Sequence, residues 1–202
     1  MPDHYYSKNP EVESKRVELT ETIKGKQFRF YADSGVFSKK GLDYGTQLLL
    51  ETFEEPSVPK GMYADAGCGW GPVGIFLAKT YPGRKILMTD INERAVELAK
   101  LNGQLNGVED RIEVRQNDLL EGMEDREIAA VLTNPPIRAG KQVIFRLYEQ
   151  AAESLMEGGE LWVVIQKKQG APSTIKKLEE LGLETEVMKK SRGYFILRGK
   201  KC

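Results

Sequence analysis

The chain is poor in the residues that staple or metallate small proteins: it has two cysteines, Cys68 and Cys202, and one histidine, His4. Neither cysteine has a C-x-x-C partner, which excludes a disulfide scaffold and fits a reducing compartment. No metal site is expected, and His4, in a polar N-terminal arm, reads as a solvated side chain. No apolar run approaches a membrane span, and Met1-Pro2-Asp3-His4-Tyr5-Tyr6 lacks the apolar core of a signal peptide. The expected location is cytoplasmic, with no membrane partner. Net charge is lacking too: 30 Lys and Arg balance 30 Asp and Glu. The total therefore gives no signal for nucleic acid or membrane. No internal repeat or low-complexity tract interrupts the chain.

What is present suits one globular domain of 202 residues, with 40% hydrophobic and 30% charged residues. The charge is unevenly spread. Residues 161–202 carry ten Lys/Arg against four acids, so that end is +6 and the remainder −6. A local basic end can meet phosphates even when the total is zero.

Residues 1–16 are polar and suit an arm or lid. Val17–Ile23 alternates, and Phe28-Arg29-Phe30 alternates again after Lys24-Gly25-Lys26, which predicts a hairpin. A turn-rich loop, Asp33–Ser38, precedes helical spacing from Leu42 to Phe53, which the prolines Pro56 and Pro59 end. Residues 1–60 have too few apolar side chains to fold alone, so they are expected to cap a main domain over 61–202. That domain reads as strands 62–66, 85–90, 111–115, 127–133 and 160–167, with helices over 72–81 and 141–156, one capped by Asn92, and one over 173–182. Strands 184–190 and 193–199 are too close for a helical crossover, so they form an antiparallel hairpin around Ser191-Arg192-Gly193. Five strand–helix units and a terminal hairpin predict a seven-stranded α/β sheet.

The chain is organised around Met62-Tyr63-Ala64-Asp65-Ala66-Gly67-Cys68-Gly69-Trp70-Gly71-Pro72-Val73-Gly74. A short strand ends in a carboxylate, a glycine turn follows, and Pro72 opens a helix. Glycines tolerate positive φ and leave no Cβ in a ligand's way. The helix start is expected to offer free N–H groups to an anion. Gly69-Trp70-Gly71-Pro72-Val73-Gly74 matches G-x-G-x-x-G, the dinucleotide fingerprint. Asp65 followed by Gly67-x-Gly69-x-Gly71 also matches the D-x-G-x-G-x-G turn of S-adenosylmethionine (SAM) methyltransferases. The dinucleotide turn needs no acid before its first glycine. In the methyltransferase turn the acid helps hold the cofactor's methionine end, chiefly its ammonium, and Asp65 tips the choice to SAM.

In an open α/β sheet the ligand lies outside the C-terminal strand ends. The second strand ends at Asp90-Ile91, where an acid can accept from both ribose hydroxyls. After the third come Asn117-Asp118-Leu119, where a carboxylate suits an adenine amine or, equally, a helix cap. The fourth ends in Asn134-Pro135-Pro136-Ile137, a turn that its two prolines make rigid. It can aim the Asn134 side-chain carbonyl and the Pro135 main-chain carbonyl at one point. Two converging acceptors suit an NH₂ on a planar conjugated system. They favour the pyramidal geometry needed for attack without a strong general base. Lys167 and Lys168 end the fifth strand at the same edge, where they can meet phosphate.

Together these residues resemble the class I SAM-dependent methyltransferases that modify amino groups. More narrowly, Gly35-Val36-Phe37-Ser38, Leu42-Asp43-Tyr44-Gly45-Thr46-Gln47-Leu48-Leu49-Leu50 and Asn134-Pro135-Pro136-Ile137-Arg138-Ala139-Gly140-Lys141 resemble the bacterial small-subunit rRNA guanine-N2 methyltransferases. The resemblance implies a Rossmann-like sheet of order 3-2-1-4-5-7-6 with the last strand antiparallel. It also implies N2-methylguanosine in 16S rRNA as product, ribosomal RNA or the small ribosomal subunit as partner, and Phe37 against the cofactor. Longer members carry a second, degenerate domain ahead of the catalytic one; without it, RNA recognition is expected to rest on residues 1–60 and the basic end. The position after the prolines is often aromatic in amino methyltransferases and is Ile137 here. Arg138, Tyr5 or Tyr6 are the planar candidates for that role. The readings weighed against this one are a protein N5-glutamine methyltransferase, a catalytically silent SAM- or RNA-binding assembly factor, and an NAD-dependent dehydrogenase. Monomer and homodimer are both open.

Overall fold

The computed structural model describes residues 13, 15–33 and 41–202. His4, Tyr5, Tyr6 and Phe37 lie outside the described residues. The elements run β1 (Val17–Ile23), β2 (Lys26–Ala32), α1 (Tyr44–Thr52), β3 (Met62–Ala66), α2 (Pro72–Thr80), β4 (Ile86–Asp90) and α3 (Glu93–Leu105). They continue with β5 (Ile112–Gln116), β6 (Ile128–Thr133), α4 (Lys141–Ser154), β7 (Leu155–Gln166), α5 (Ala171–Glu180), β8 (Glu184–Ser191) and β9 (Tyr194–Lys200).

Strands β3 to β9 form one seven-stranded sheet in the order β5-β4-β3-β6-β7-β9-β8. Counted from β3, that is the expected 3-2-1-4-5-7-6, and β9 runs antiparallel to both its neighbours. Strand β6 is buried at all six positions, as a parallel strand covered on both faces must be. One apolar layer joins α1, α2 and α3 to the sheet through Leu49, Phe53, Phe76 and Leu98. The other joins α4 and α5 through Ile144, Leu147, Tyr148 and Leu178. Three layers around one sheet bury both faces.

The expected hairpin is β1–β2, turned by Lys24 and Gly25 at φ 47° and 73°. Its inner face belongs to the main core: Phe30 lies edge-on to Trp70 at 4.8 Å between ring centroids. Two asparagines one turn apart, Asn102 on α3 and Asn106 at its C-cap, receive its free edge. Tyr31 N–H donates to Asn102 Oδ1 at 2.7 Å, and Asn102 Nδ2 donates to Tyr31 O at 2.8 Å. Asn106 Nδ2 donates to Arg29 O at 2.8 Å. Asn102 Nδ2 also reaches Trp70 O, at 2.7 Å, in the glycine turn.

Three expectations need correction. No helix follows β5; residues 117–126 pass to β6 through successive turns, with Leu119 at φ 53°. That left-handed residue stops a helix that Asn117 or Asp118 would otherwise cap, so four helices alternate with the sheet strands rather than five. Helix α4 ends at Ser154, not 156, and Gly158-Gly159 lies inside β7. There Leu155 faces Ile128 and Glu160 faces Ala130. Five residues of β7 thus oppose two of β6, and Gly158 at φ 78° absorbs the bulge. Helix α1 begins at Tyr44 rather than Leu42, because Asp43 is its N-cap.

At the N-terminal edge of the sheet, Arg84 anchors the segment after α1. Its guanidinium donates to Val58 O (2.6 Å), Gly61 O (3.2 Å) and Glu55 Oε1 (3.1 Å), and lies 4.9 Å from the Tyr63 ring centroid. The Tyr63 hydroxyl donates to the same Glu55 oxygen at 2.7 Å.

Candidate active site

Strand register decides which predicted residues meet. Asp65 on β3 is level with Met88 on β4 and Leu132 on β6. Asp90 and Asn134 therefore stand two residues further toward the C-terminal edge, one on each side of the glycine turn. Thr133 Oγ1 donates to Ala66 O at 3.0 Å and locks the β3 and β6 ends together. A cavity of about 370 Å³ opens at the opposite edge, lined by Gly61, Met62, Lys85 and Arg126, and holds none of these residues.

Within the turn the glycines divide into two pairs. Gly67 and Gly69 have φ of 74° and 56°, and a Cβ on either would meet nothing within 4 Å. They need glycine for its backbone and leave open space beside it. A Cβ on Gly71 or Gly74 would strike Met88, at 3.0 and 2.5 Å, so those two serve packing.

Five N–H groups of the turn and helix start, expected to be free for an anion, are already used. Gly67 N–H and Cys68 N–H donate to Thr89 O at 2.9 and 2.8 Å, and Gly71 N–H donates to Cys68 O at 3.0 Å. Gly69 N–H donates to Asp90 Oδ2 at 2.8 Å, and Gly74 N–H, in the first turn of α2, donates to Asp65 Oδ2 at 2.9 Å. The chain's own carboxylate fills the place where a pyrophosphate would sit. That argues against a dinucleotide and for a ligand that brings positive charge and hydroxyls.

The two acids are poised for such a ligand. Asp65 is 3% exposed, and burial pushes its carboxyl up to about 7, against the pull of the Gly74 N–H and with a further push from Asp90. Burial pushes Asp90 up to about 6, against N–H groups of Asn92, Gly69 and Ile91. Neither acid has a cation beside it among the described residues. Burial also holds the Cys68 thiol well above its ordinary range, so it is an unreactive thiol in the turn.

The Asn-Pro-Pro turn is rigid as expected. Pro135 and Pro136 are buried, and Ala139 N–H donates to Pro136 O at 2.9 Å, opening a 3₁₀ turn over Ile137–Ala139. Asn134 Nδ2 points at the start of α1. It lies 3.0 Å from Thr46 Oγ1 and 3.3 and 3.4 Å from the two Asp43 oxygens. Asn134 Oδ1 has no hydrogen-bond partner among the described residues.

The other candidates are placed less centrally. Asp118 is ion-paired with Arg146 at 2.9 Å, Asn117 Nδ2 donates to Leu119 O and Glu121 O, and Leu119 is buried. Ile91 O accepts from Gln116 at 3.0 Å. Ile137 packs partly into the core, while Arg138, Lys167 and Lys168 are exposed. Lys167 N–H donates to Gly193 O at 2.9 Å, which sets both lysines beside the β8–β9 turn. That neighbourhood holds Tyr44, with the Arg192 guanidinium 4.8 Å from its ring centroid and Tyr194 tilted at 5.5 Å. Sequence reasoning gave no role to Asp43, Tyr44 and Thr46, although they lie in the run that carries the resemblance, and missed Tyr194. The available signal was Asp43 before the helical spacing, an N-cap pattern.

The family model for the Methyltransferase small domain matches residues 27–198. The Bacillus subtilis protein YbxB is 49% identical over 202 residues, covering all of both chains. Ribosomal RNA small subunit methyltransferase C of Pseudomonas aeruginosa is 38% identical over 134 residues, which are 64% of this chain and 39% of that one. Ribosomal RNA large subunit methyltransferase G of Klebsiella pneumoniae is 32% identical over 148 residues, or 70% of this chain and 39% of that one. The chain thus spans about two fifths of these two methyltransferases. Among solved structures, a T. thermophilus 16S rRNA N2 methyltransferase in complex with AdoMet and guanosine superposes with TM-score 0.82 at 24% identity. It covers 96% of this chain and 52% of its own. A ribosomal-protein methylase from Lactobacillus delbrueckii superposes at 0.66 and 24% identity, covering 78% of this chain and 79% of its own, so the fold alone does not choose an acceptor. By the family match over 27–198, the chain belongs to the Methyltransferase small domain family.

Proposed function

We propose that the protein is a SAM-dependent N-methyltransferase that acts on an exocyclic amine of ribosomal RNA, guanine N2 of 16S rRNA first. The observation that carries this is the Asn134-Pro135 turn, whose Oδ1 and Pro135 O have no hydrogen-bond partner among the described residues. When bound, SAM supplies a methyl group on a sulfonium, open to attack by an amine.

The residues fit that cofactor. Asp65 would hold the ammonium, Asp90 and Ile91 the ribose, and Asn117, Asp118 and Leu119 the adenine. Gly67, Cys68, Gly69 and Gly71 form the turn that lets it approach. On the acceptor side, Asn134 Oδ1 and Pro135 O accept from the two N–H bonds of the amine. That holds the amine's lone pair in line, so positioning replaces a strong base. Pro136 keeps the turn stiff, and Ile137 packs beside the base.

A nucleic-acid acceptor is favoured by the surface beside this turn. Lys167, Lys168, Lys190 and Arg192 are exposed and carry no ion pair among the described residues. Tyr44 and Tyr194 lie among them, and aromatic rings interleaved with cations suit unpaired RNA. Tyr44 and Tyr194 thus take the planar role that Ile137 cannot fill. Residues 1–60 act as a cap on the domain 61–202 in this reading.

The test uses isotope-labelled SAM with 30S subunits, 50S subunits, 16S rRNA and release factor in parallel, followed by digestion to nucleosides. Both subunits are included because the relatives carry both names. Label in N2-methylguanosine, lost in Asn134→Ala, is the expected result. Label in release factor alone would replace the RNA acceptor with a glutamine amide.

A further inference from the structure

The orientation of one side-chain amide decides whether the Asn134 turn can accept an amine, and α1 sets that orientation. An asparagine amide presents a carbonyl at one end and an NH₂ at the other, two ends of nearly equal size. Turned one way, Asn134 offers an acceptor to an incoming NH₂. Turned the other way, it offers two donors and repels it. Rigid prolines fix the backbone but leave this choice open.

The hydrogen-bond inventory around Asn134 closes it. Asp43 is the N-cap of α1: its Oδ2 accepts from Thr46 N–H at 3.2 Å, and its Oδ1 accepts from the Thr46 hydroxyl at 2.6 Å. The Thr46 hydroxyl has one proton and spends it on Asp43. Toward Asn134, 3.0 Å away, Thr46 Oγ1 therefore presents only lone pairs. Both Asp43 oxygens, at 3.3 and 3.4 Å, also present only lone pairs. Every neighbour on that side among the described residues is an acceptor. Only Nδ2 can face them, and Oδ1 is forced to the other side. Thr46 is 5% exposed, so water does not readily substitute for these contacts.

We infer that Asp43 and Thr46 are positioning residues that lock the Asn134 amide with its carbonyl toward the acceptor amine. This rests on the reading of Asn134 given above. The helix cap and the amide lock share one carboxylate, but a substitution separates them. In Asp43→Asn the new side chain still caps α1 through its carbonyl, since asparagine is as good an N-cap as aspartate. It also brings an NH₂, and it frees the Thr46 proton to donate elsewhere. Both orientations of Asn134 are then satisfied, and the lock is gone. In Thr46→Val one acceptor is lost but Asp43 still demands Nδ2, so its effect is smaller.

The experiment is calorimetric, with two cofactor analogues on the full chain. Sinefungin carries an amine where SAM carries its methyl group, and S-adenosylhomocysteine carries nothing there. The ratio of their dissociation constants reads the acceptor carbonyl without turnover. Wild type is expected to prefer sinefungin by about tenfold, the worth of one charge-assisted hydrogen bond. Asn134→Ala should abolish the preference. Asp43→Asn should cut it at least about fivefold and Thr46→Val about twofold, with S-adenosylhomocysteine affinity unchanged in both and Tm unchanged in Asp43→Asn. With labelled SAM and 30S subunits, kcat should fall in the same order while KM stays constant. A wild-type preference in Asp43→Asn and Thr46→Val, lost only in Asn134→Ala, would overturn the lock and leave Asn134 in its role. A preference that survives Asn134→Ala would overturn the reading of Asn134 and the lock with it.

Discussion

The two edges of the sheet treat buried charge in opposite ways. At the N-terminal edge, Arg84 has Glu55 as counter-charge, two carbonyls and a ring face, so its guanidinium is fully matched. At the C-terminal edge, Asp65 is as deeply buried and Asp90 is half-buried, but both have only backbone N–H groups. Their carboxyls are pushed up to about 7 and about 6 as a result. One edge is complete in itself. The other holds uncompensated negative charge that a cationic ligand would complete, and perturbed acids of this kind concentrate at functional sites.

Breaking the two edges should therefore give opposite phenotypes. Asp65→Asn keeps an acceptor for the Gly74 N–H but removes the charge. SAM affinity should fall at least about 100-fold by calorimetry, as for a lost ion pair in a buried site. The free protein at pH 8 should melt about 2–5 °C higher, because an unmatched buried carboxylate is gone. At the other edge, Arg84→Met leaves Glu55, Val58 O and Gly61 O unmatched. It should lower Tm by about 6–12 °C, from about 3 kcal/mol of lost pairing, with SAM affinity within twofold. A variant of Arg84 that loses SAM binding at full stability would erase the contrast.

The pH dependence sharpens it further. Asp65 and Asp90 have folded values above their unfolded ones. Their contribution to stability is thus fully present below about pH 4 and is lost as pH rises through about 6 to 7. The free protein should lose this increment between about pH 4 and pH 7, while SAM affinity rises about tenfold across the upper part of that range because SAM meets the ionised acids. Proton release on binding, measured at pH 6 in buffers of different ionisation enthalpy, checks this; proton uptake would contradict it. The smallest effect is at the rim. Lys167→Glu with Lys168→Glu should weaken 16S rRNA binding several-fold and reduce the salt slope by about two, leaving SAM affinity unchanged.

Much of this was readable in the sequence, for local reasons. The apolar runs of β3, β6 and β7 and the glycine turn identify themselves, and the close spacing of β8 and β9 requires their antiparallel pairing. The β5–β6 connection misled because Asn117-Asp118 is a good cap and nothing local shows that Leu119 adopts a left-handed backbone. Gly158-Gly159 resembles a helix stop and is a strand bulge, since only the partner strand reveals the mismatch in register. The site split in the same way. Asp65, Asp90 and Asn134 follow from their place at strand ends. The Asp43–Thr46 contact to Asn134 joins residues about ninety positions apart, and the direction of an amide is a property of packing. The N–H groups of the glycine turn showed the reverse error: free in the sequence, they are filled by the chain's own carbonyls and by Asp65 and Asp90.

Asn102 and Asn106 carry a consequence for how the protein avoids sticking to itself. A two-stranded ribbon such as β1–β2 has an outer edge whose amides and carbonyls can recruit a further strand from another chain. Here α3 spends two side chains on that edge, meeting Tyr31 N–H, Tyr31 O and Arg29 O. The ribbon is thereby closed to strand addition on that side without a third strand, and the two asparagines serve as a molecular hem.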